Sequence, residues 1–238
     1  MTDAPAAEAP PTDELRTGLV AALEAELGDA VVGSFVRPGD DVWVRVATDA
    51  WRSAGEAALH RLGCRFFSFL SAIDWLPSPF GRYEDSDVDV PLAEKLAAAG
   101  DAVIETGYAG GDTRFQVFAR VVNLERRVGI TLKVDVPDDT MTVESWLRTY
   151  AGANWHEREA HEMFGIGFAG HPALRPLYLP TDFEGHPMRK DFPLLARVVK
   201  PWPGIVDVEP MPDEGPGEGA PADSTDDADD ETPAEEGS

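Results

Sequence analysis

Cysteine is almost missing from this 238-residue chain, which carries only Cys64. One thiol excludes an internal disulfide and any all-cysteine zinc or iron–sulfur site on the chain. It fits a reducing compartment. Bases are scarce as well, 20 against 44 acids, for a formal net charge of -24. The chain therefore lacks the basic footprint that nucleic acid or an anionic membrane surface requires. No apolar run reaches the roughly eighteen residues of a transmembrane helix. The opening MTDAPAAEAPPTDE has neither the positive region nor the apolar core of a secretory signal. The expected location is cytoplasmic, unless a partner carries the chain elsewhere.

The acids are unevenly placed. Residues 207–238 hold thirteen and no base, and residues 1–14 hold four and no base. What remains has 20 bases against 27 acids, so the folding part is only mildly acidic. Hydrophobic residues make up 43 %, enough for a sizeable core, and the length fits one domain with appendages or two small domains. Composition predicts disorder for 1–11 and for the Glu/Asp/Pro/Gly/Ser tail 206–238.

Between the tails, periodicity predicts an α+β domain over 12–137. Thr12 is the expected cap of a helix over 13–27 with the stripe Leu15, Leu19, Leu23, Leu27 and a stop at Gly28. Strands are expected at Val31–Val36 and around Val42, Val44 and Val46, joined by the turn Arg37-Pro38-Gly39-Asp40. A helix over 50–62 presents Trp51, Ala54, Ala58 and Leu62, and the strand Arg65–Asp74 follows. Residues 76–99, with a short helix at 92–99, read as an insertion. Ala102–Tyr108, Arg114–Val122 and Val128–Val136 read as a three-stranded meander. This order is that of a largely antiparallel sheet. A helical turn or two is expected at 143–150. Asn154 with Glu157 three positions on matches a capping box for a helix over about 155–164, ended by Gly165.

The most informative stretch lies within 138–205, read as a signature helix and an extended partner-binding segment: WHEREAHEMFGIGFAGHPALRPLYLPTDFEGHPMRKDFPL starts at Trp155. It passes from a charged helix into an irregular run rich in Gly and Pro. Phe168, Leu174, Leu177, Tyr178, Leu179, Phe183 and Phe192 punctuate that run, too many large apolar residues for a free linker. Apolar groups without regular structure of their own point to burial against another chain.

His156-Glu157 and His161-Glu162 invite comparison with HExxH. That motif needs histidines four apart, and these are five apart, about 140° around a helix. A metalloenzyme using His156, His161 and His171 is a rival reading; histidines that cap, stack or bond to backbone are the plainer one. Glu157, Arg158, Glu159 and Glu162 fit a solvated face with one Arg158–Glu162 pair. Trp155, Ala160, Met163 and Phe164 beside them weaken that reading. Arg189-Lys190-Asp191 has no glycine cradle before a helix and does not read as a nucleotide site. No serine sits in a nucleophile elbow, and Cys64 beside Phe66 and Phe67 reads as a small buried hydrophobe. No catalytic constellation emerges.

Glu157-Arg158-Glu159, Phe164-Gly165-Ile166, Phe168, Gly170-His171-Pro172, Leu174-Arg175 and Gly185-His186-Pro187-Met188-Arg189-Lys190-Asp191-Phe192-Pro193 together resemble a family signature. The family is the C subunit, or 30 kDa subunit, of respiratory complex I, the proton-pumping NADH:quinone oxidoreductase. Glu162 stands where many relatives have Asp, and Pro176 where many have a second Arg. The resemblance implies a ferredoxin-like sheet with helices on one face. It implies a scaffold without a redox centre, in the peripheral arm, on the cytoplasmic face of the cell membrane through its partners. The D subunit would be the closest partner, then the B subunit. FMN, iron–sulfur clusters and quinone would belong to partner subunits. The expected interface residues are Trp155, Glu157, Arg158, Glu159, Glu162, Phe164, Phe168, His171, Arg175, His186, Arg189, Asp191 and Phe192. A membrane-bound hydrogenase or a related dehydrogenase uses a similar subunit and is the nearest alternative.

Overall fold

Helix α1 (Glu14–Leu27) turns its leucine stripe inward, with Leu19 and Leu23 buried and Leu15 and Leu27 packed at the margin. Its cap is Asp13 rather than Thr12, which lies outside the described residues. The Asp13 carboxylate accepts from the Arg16 amide at 3.1 Å and from its guanidinium at 2.6 Å. An anion suits the positive end of the helix, so the acid one position later takes the cap. This computed structural model describes residues 13–79, 92–100 and 103–192. The expected disordered tails, the loop 80–91 and Ala102 fall outside them.

Strands β1 (Val31–Phe35) and β2 (Val42–Val46) form an antiparallel hairpin, and helix α2 (Trp51–His60) follows. Then come β3 (Phe66–Asp74), helix α3 (Leu92–Gly100), β4 (Phe115–Asn123) and β5 (Val128–Asp135). The five strands lie in the order β1-β2-β5-β4-β3. Within this sheet β2 and β5 pair in parallel, Val42 opposite Ile130 through Val46 opposite Val134, and the other three pairings are antiparallel. The α+β class with a largely antiparallel sheet is as expected.

Side chains alternate across each strand. One face offers Val42, Val44, Val46, Ile130, Leu132, Val134, Ala119 and Val121, all at most 1 % exposed. These share one core with Leu19 and Leu23 of α1 and Trp51, Ala54 and Ala58 of α2. Trp51 stacks on Trp146 with centroids 4.3 Å apart, and Trp146 Nε1 donates to the Trp51 carbonyl at 2.9 Å. Gly55 makes room for that pair, since a Cβ there would lie 2.7 Å from the Trp146 ring. Cys64 is fully buried, and burial pushes its thiol up to about 11, so it behaves as the inert hydrophobe expected.

Two expectations over the second half are corrected. Residues 103–108 form no strand. Alternation suggested one, but Tyr108 swings out to stack on Phe35 at 4.2 Å, and Arg45 Nε holds the Ala109 carbonyl at 3.2 Å. The meander therefore has two strands, β4 and β5. Residues 143–150 also divide. Thr142–Glu144 is strand β6, paired in parallel with β7 (Gly167–Ala169), and a single turn follows in which Thr149 and Tyr150 donate to the Trp146 carbonyl.

Candidate partner interface

Helix α4 (Ala153–Phe164) carries the charged signature and lies along β3. Its inward stripe is Ala153, Glu157, Ala160 and Phe164, spaced four, three and four, as one helical face requires. Ala160 and Phe164 join the core with Phe168. The predicted capping box is corrected: Gly152 is the cap and no side chain caps the helix. Glu157, 0 % exposed, instead accepts from Ser145 Oγ and from the Trp146 amide, both at 2.6 Å. Burial pushes its carboxyl up to about 7, against the pull of those two donors.

The helix ends at Gly165, in the left-handed conformation with φ 75°, its amide on the His161 carbonyl at 2.8 Å. A Cβ at Gly165 would meet His186 and Arg189 at 2.6 Å. Those two side chains close the helix end. His186 Nδ1 bonds the Glu162 carbonyl at 2.8 Å, and Arg189 Nε donates to the Phe164 carbonyl at 2.7 Å. Terminal carbonyls thus find donors, and a cation sits at the negative end of the helix.

Arg158 and Glu162 do not pair with one another as expected; they grip the same loop from two sides. Arg158 donates from Nε to the Arg175 carbonyl at 2.9 Å and from Nη2 to the Pro176 carbonyl at 3.0 Å. Glu162 accepts from the amides of Leu177 at 3.0 Å, Tyr178 at 3.0 Å and Leu179 at 2.6 Å. Burial acts to raise the Glu162 carboxyl, but those amides and the Arg158 charge outweigh it and hold it below the usual carboxylate value. Arg158 needs only carbonyls here, so Pro176 serves without a second guanidinium.

The far end of the run is tied to the sheet. Arg114 makes a two-pronged bond to Asp74, at 2.9 and 2.7 Å, and reaches Asp191 at 2.9 Å. The Lys190 amide donates to Asp74 at 2.8 Å. Burial works to raise Asp191, but Arg114 prevails and keeps it ionised well into acid. Phe192 stacks on Phe183 with centroids 6.0 Å apart.

The histidines of the rival reading do not converge. His156 Nδ1 bonds the Leu70 carbonyl at 3.1 Å and His161 Nδ1 the Ile166 carbonyl at 2.9 Å. His171 accepts the Ala173 amide at Nδ1, so its Nε2 carries the proton toward Asn154 Oδ1 at 2.9 Å. Among the described residues no group of three or more His, Cys, Asp or Glu could hold a metal ion.

Once the loop is tied down, Trp155, Tyr178, Met188 and Phe183 face outward, at 61, 63, 55 and 40 % exposure. Arg158 links the first two, its guanidinium 5.9 Å from the Trp155 ring centre and its donors on the residues before Tyr178. Glu157, Phe164 and Phe168 are inside the chain. Glu159 and Arg175 stay toward the surface. The sequence missed Ser145, Arg114 and Asp74 as members of this assembly, and no local pattern marks them.

The family model described as "Respiratory-chain NADH dehydrogenase, 30 Kd subunit" matches residues 44–198, well over half the chain. The chain belongs to that family. This 30 Kd-family chain is 46 % identical over 92 residues to the C subunit of the NADH-quinone oxidoreductase of Roseiflexus sp. (strain RS-1), covering 39 % of itself and 53 % of that protein. It is 35 % identical over 146 residues to the C/D subunit of the same enzyme of Methylococcus capsulatus (strain ATCC 33009 / NCIMB 11132 / Bath), covering 59 % of itself and 25 % of that protein. The match thus spans about half, or less, of these relatives. A chain of the membrane-bound sulfane sulfur reductase, an archaeal respiratory membrane complex, shares the fold at TM-score 0.50 and 18 % identity. That likeness covers 76 % of this 30 Kd-family chain and 86 % of the other. Among the described residues no helix is long and apolar enough to cross a membrane.

Proposed function

We propose that the chain is a scaffold subunit, without a redox centre of its own, of the peripheral arm of a proton-translocating NADH:quinone oxidoreductase. It supports electron transfer from NADH through the FMN and iron–sulfur centres of other subunits to quinone. Its main partner is the D subunit, then the B subunit, and these hold it at the cytoplasmic face of the cell membrane. The observation that carries the reading is the preorganised surface of α4 and 165–192. Arg158, Glu162, His186, Arg189 and Asp191 are spent on shaping an irregular run. The result is a tied-down face with Trp155, Tyr178, Phe183 and Met188 outward, three aromatics and a methionine of the kinds enriched at interfaces. Chemistry is an unsupported use of the same residues, because each has a structural partner. The fused C/D relatives support the D subunit as the neighbour.

Affinity purification of the tagged chain from its native membranes tests this. The D and B subunits should be recovered in near-equal amounts with the chain. The chain purified alone should be colourless and free of stoichiometric zinc or iron. One equivalent of tightly held metal, or recovery without those subunits, would remove the scaffold reading.

A further inference from the structure

The sheet face turned away from α1, α2 and α4 carries a cavity of about 690 Å³. Trp43, Trp75, Tyr108 and Phe118 supply its aromatic walls, and Gln116 and Lys133 its polar floor. The walls are built firmly. Tyr108 meets Phe35 and Trp43, Trp43 meets Phe118, and Trp75 Nε1 donates to Gln116 Oε1 at 2.8 Å. Gln116 Nε2 is used in turn by Asp135 at 2.6 Å and the Gly110 carbonyl at 3.2 Å. Lys133 is different. The residue is 3 % exposed, and among the described residues its Nζ makes no hydrogen bond or ion pair; that atom is not sealed from solvent but opens into the cavity, with the Trp75 ring centroid 5.8 Å away. A hydrated ammonium at the floor of an otherwise apolar cavity, with no anion of its own, is placed to receive one.

We propose that this cavity is a binding site for a small aromatic monocarboxylate, its ring between the tryptophan, tyrosine and phenylalanine walls and its carboxylate on Lys133 Nζ. The volume falls within the range of small-molecule sites, about 300–1,000 Å³. The lining gives the usual recipe of apolar walls with one convergent charge. The charges near Lys133 leave its positive charge unmatched. Arg45 on β2 opposes it. Asp135 on β5 attracts it but is occupied by Arg45 at 2.6 Å and by Gln116. Asp112 is held by Arg45. Phe118 on β4, Ile73 on β3 and Trp75 just beyond β3 bring no charge, and Tyr108 brings only a phenol. Burial, helped by Arg45 and opposed by Asp135, brings the amine down to about 8. The ammonium therefore prevails at neutral pH and fades above it, and carboxylate binding should fade with it. The site lies off the α4 surface and does not depend on the scaffold reading.

The test uses the full chain, with 2-naphthoate and its uncharged amide, 2-naphthamide, as probes in titration calorimetry and tryptophan quenching. Naphthoate should bind at least tenfold more tightly than naphthamide at pH 7. That preference should shrink about tenfold between pH 7 and pH 9. Lys133→Met should abolish the preference while leaving naphthamide binding within threefold. Its melting temperature should be unchanged or higher, which shows that the variant folds. Equal binding of the two probes by the unaltered chain, no binding of either, or an undiminished preference in the folded Lys133→Met variant would overturn the proposal.

Discussion

Glu157 shows how one buried side chain couples this fold to pH. Its carboxyl stands at about 7 inside the protein against a usual 4.5. A folded value above the unfolded one means that the native state holds the extra proton. The associated stability is complete below about pH 4.5 and is lost as pH rises through about 7, on the order of 2–3 kcal/mol by then. Glu157→Gln keeps an acceptor for the Trp146 amide and gains a donor for Ser145 Oγ, without the charge. The stability of the unaltered chain relative to this variant should fall by that amount between pH 5 and pH 8.5 in parallel denaturant titrations. A difference that stays flat with pH would mean that Glu157 is not titrating in this range. The sequence marked Glu157 as important but assigned it to a cap and to an interface. Its true partners, Ser145 and Trp146, lie in the turn after β6, which the sequence read as helix.

At the scale of elements, α4 and the run after it behave as one unit held by backbone bonds. Glu162→Ala removes an acceptor shared by three amides and should free Leu177–Leu179 while costing roughly 1.5–3 kcal/mol. Arg158→Ala removes two bonds near the surface and should cost about 1 kcal/mol or less in the free chain. Amide exchange should speed at residues 177–179 in the first variant, with β3–β5 protected as before. Loss of protection in β4 and β5 as well would make the loop part of the cooperative core. Regular elements were legible because periodicity is local: the valines of β2, the leucines of α1 and the stop at Gly165 all stand as read. The irregular run was legible only as a family signature. Its shape comes from Glu162 and, from the sheet, Arg114 and Asp74, the last of these 116 residues from the Lys190 amide it holds. Val103–Tyr108 failed for the same reason, since Arg45 and Phe35 decide where Tyr108 goes. The β6–β7 pair escaped notice because each strand is three residues long.

For the whole molecule, most of the net charge lies in residues 207–238, which have thirteen acids and no base. Removal of 207–238 should leave assembly and NADH:quinone activity nearly unchanged; a large loss of assembled complex would show that the tail engages a basic partner surface. The central claim concerns the outward face of α4 and its loop. Trp155→Ala combined with Tyr178→Ala changes two side chains that are more than half exposed, so the free chain should melt within a few degrees of the unaltered one. In an interface core, loss of two aromatic anchors costs about 2 kcal/mol or more each. The decisive measurement is the amount of D subunit recovered with this double variant from membranes, beside its melting temperature. The account predicts normal melting with at least tenfold less D subunit and a matching fall in NADH:quinone activity. Normal melting with undiminished D subunit and activity would contradict it.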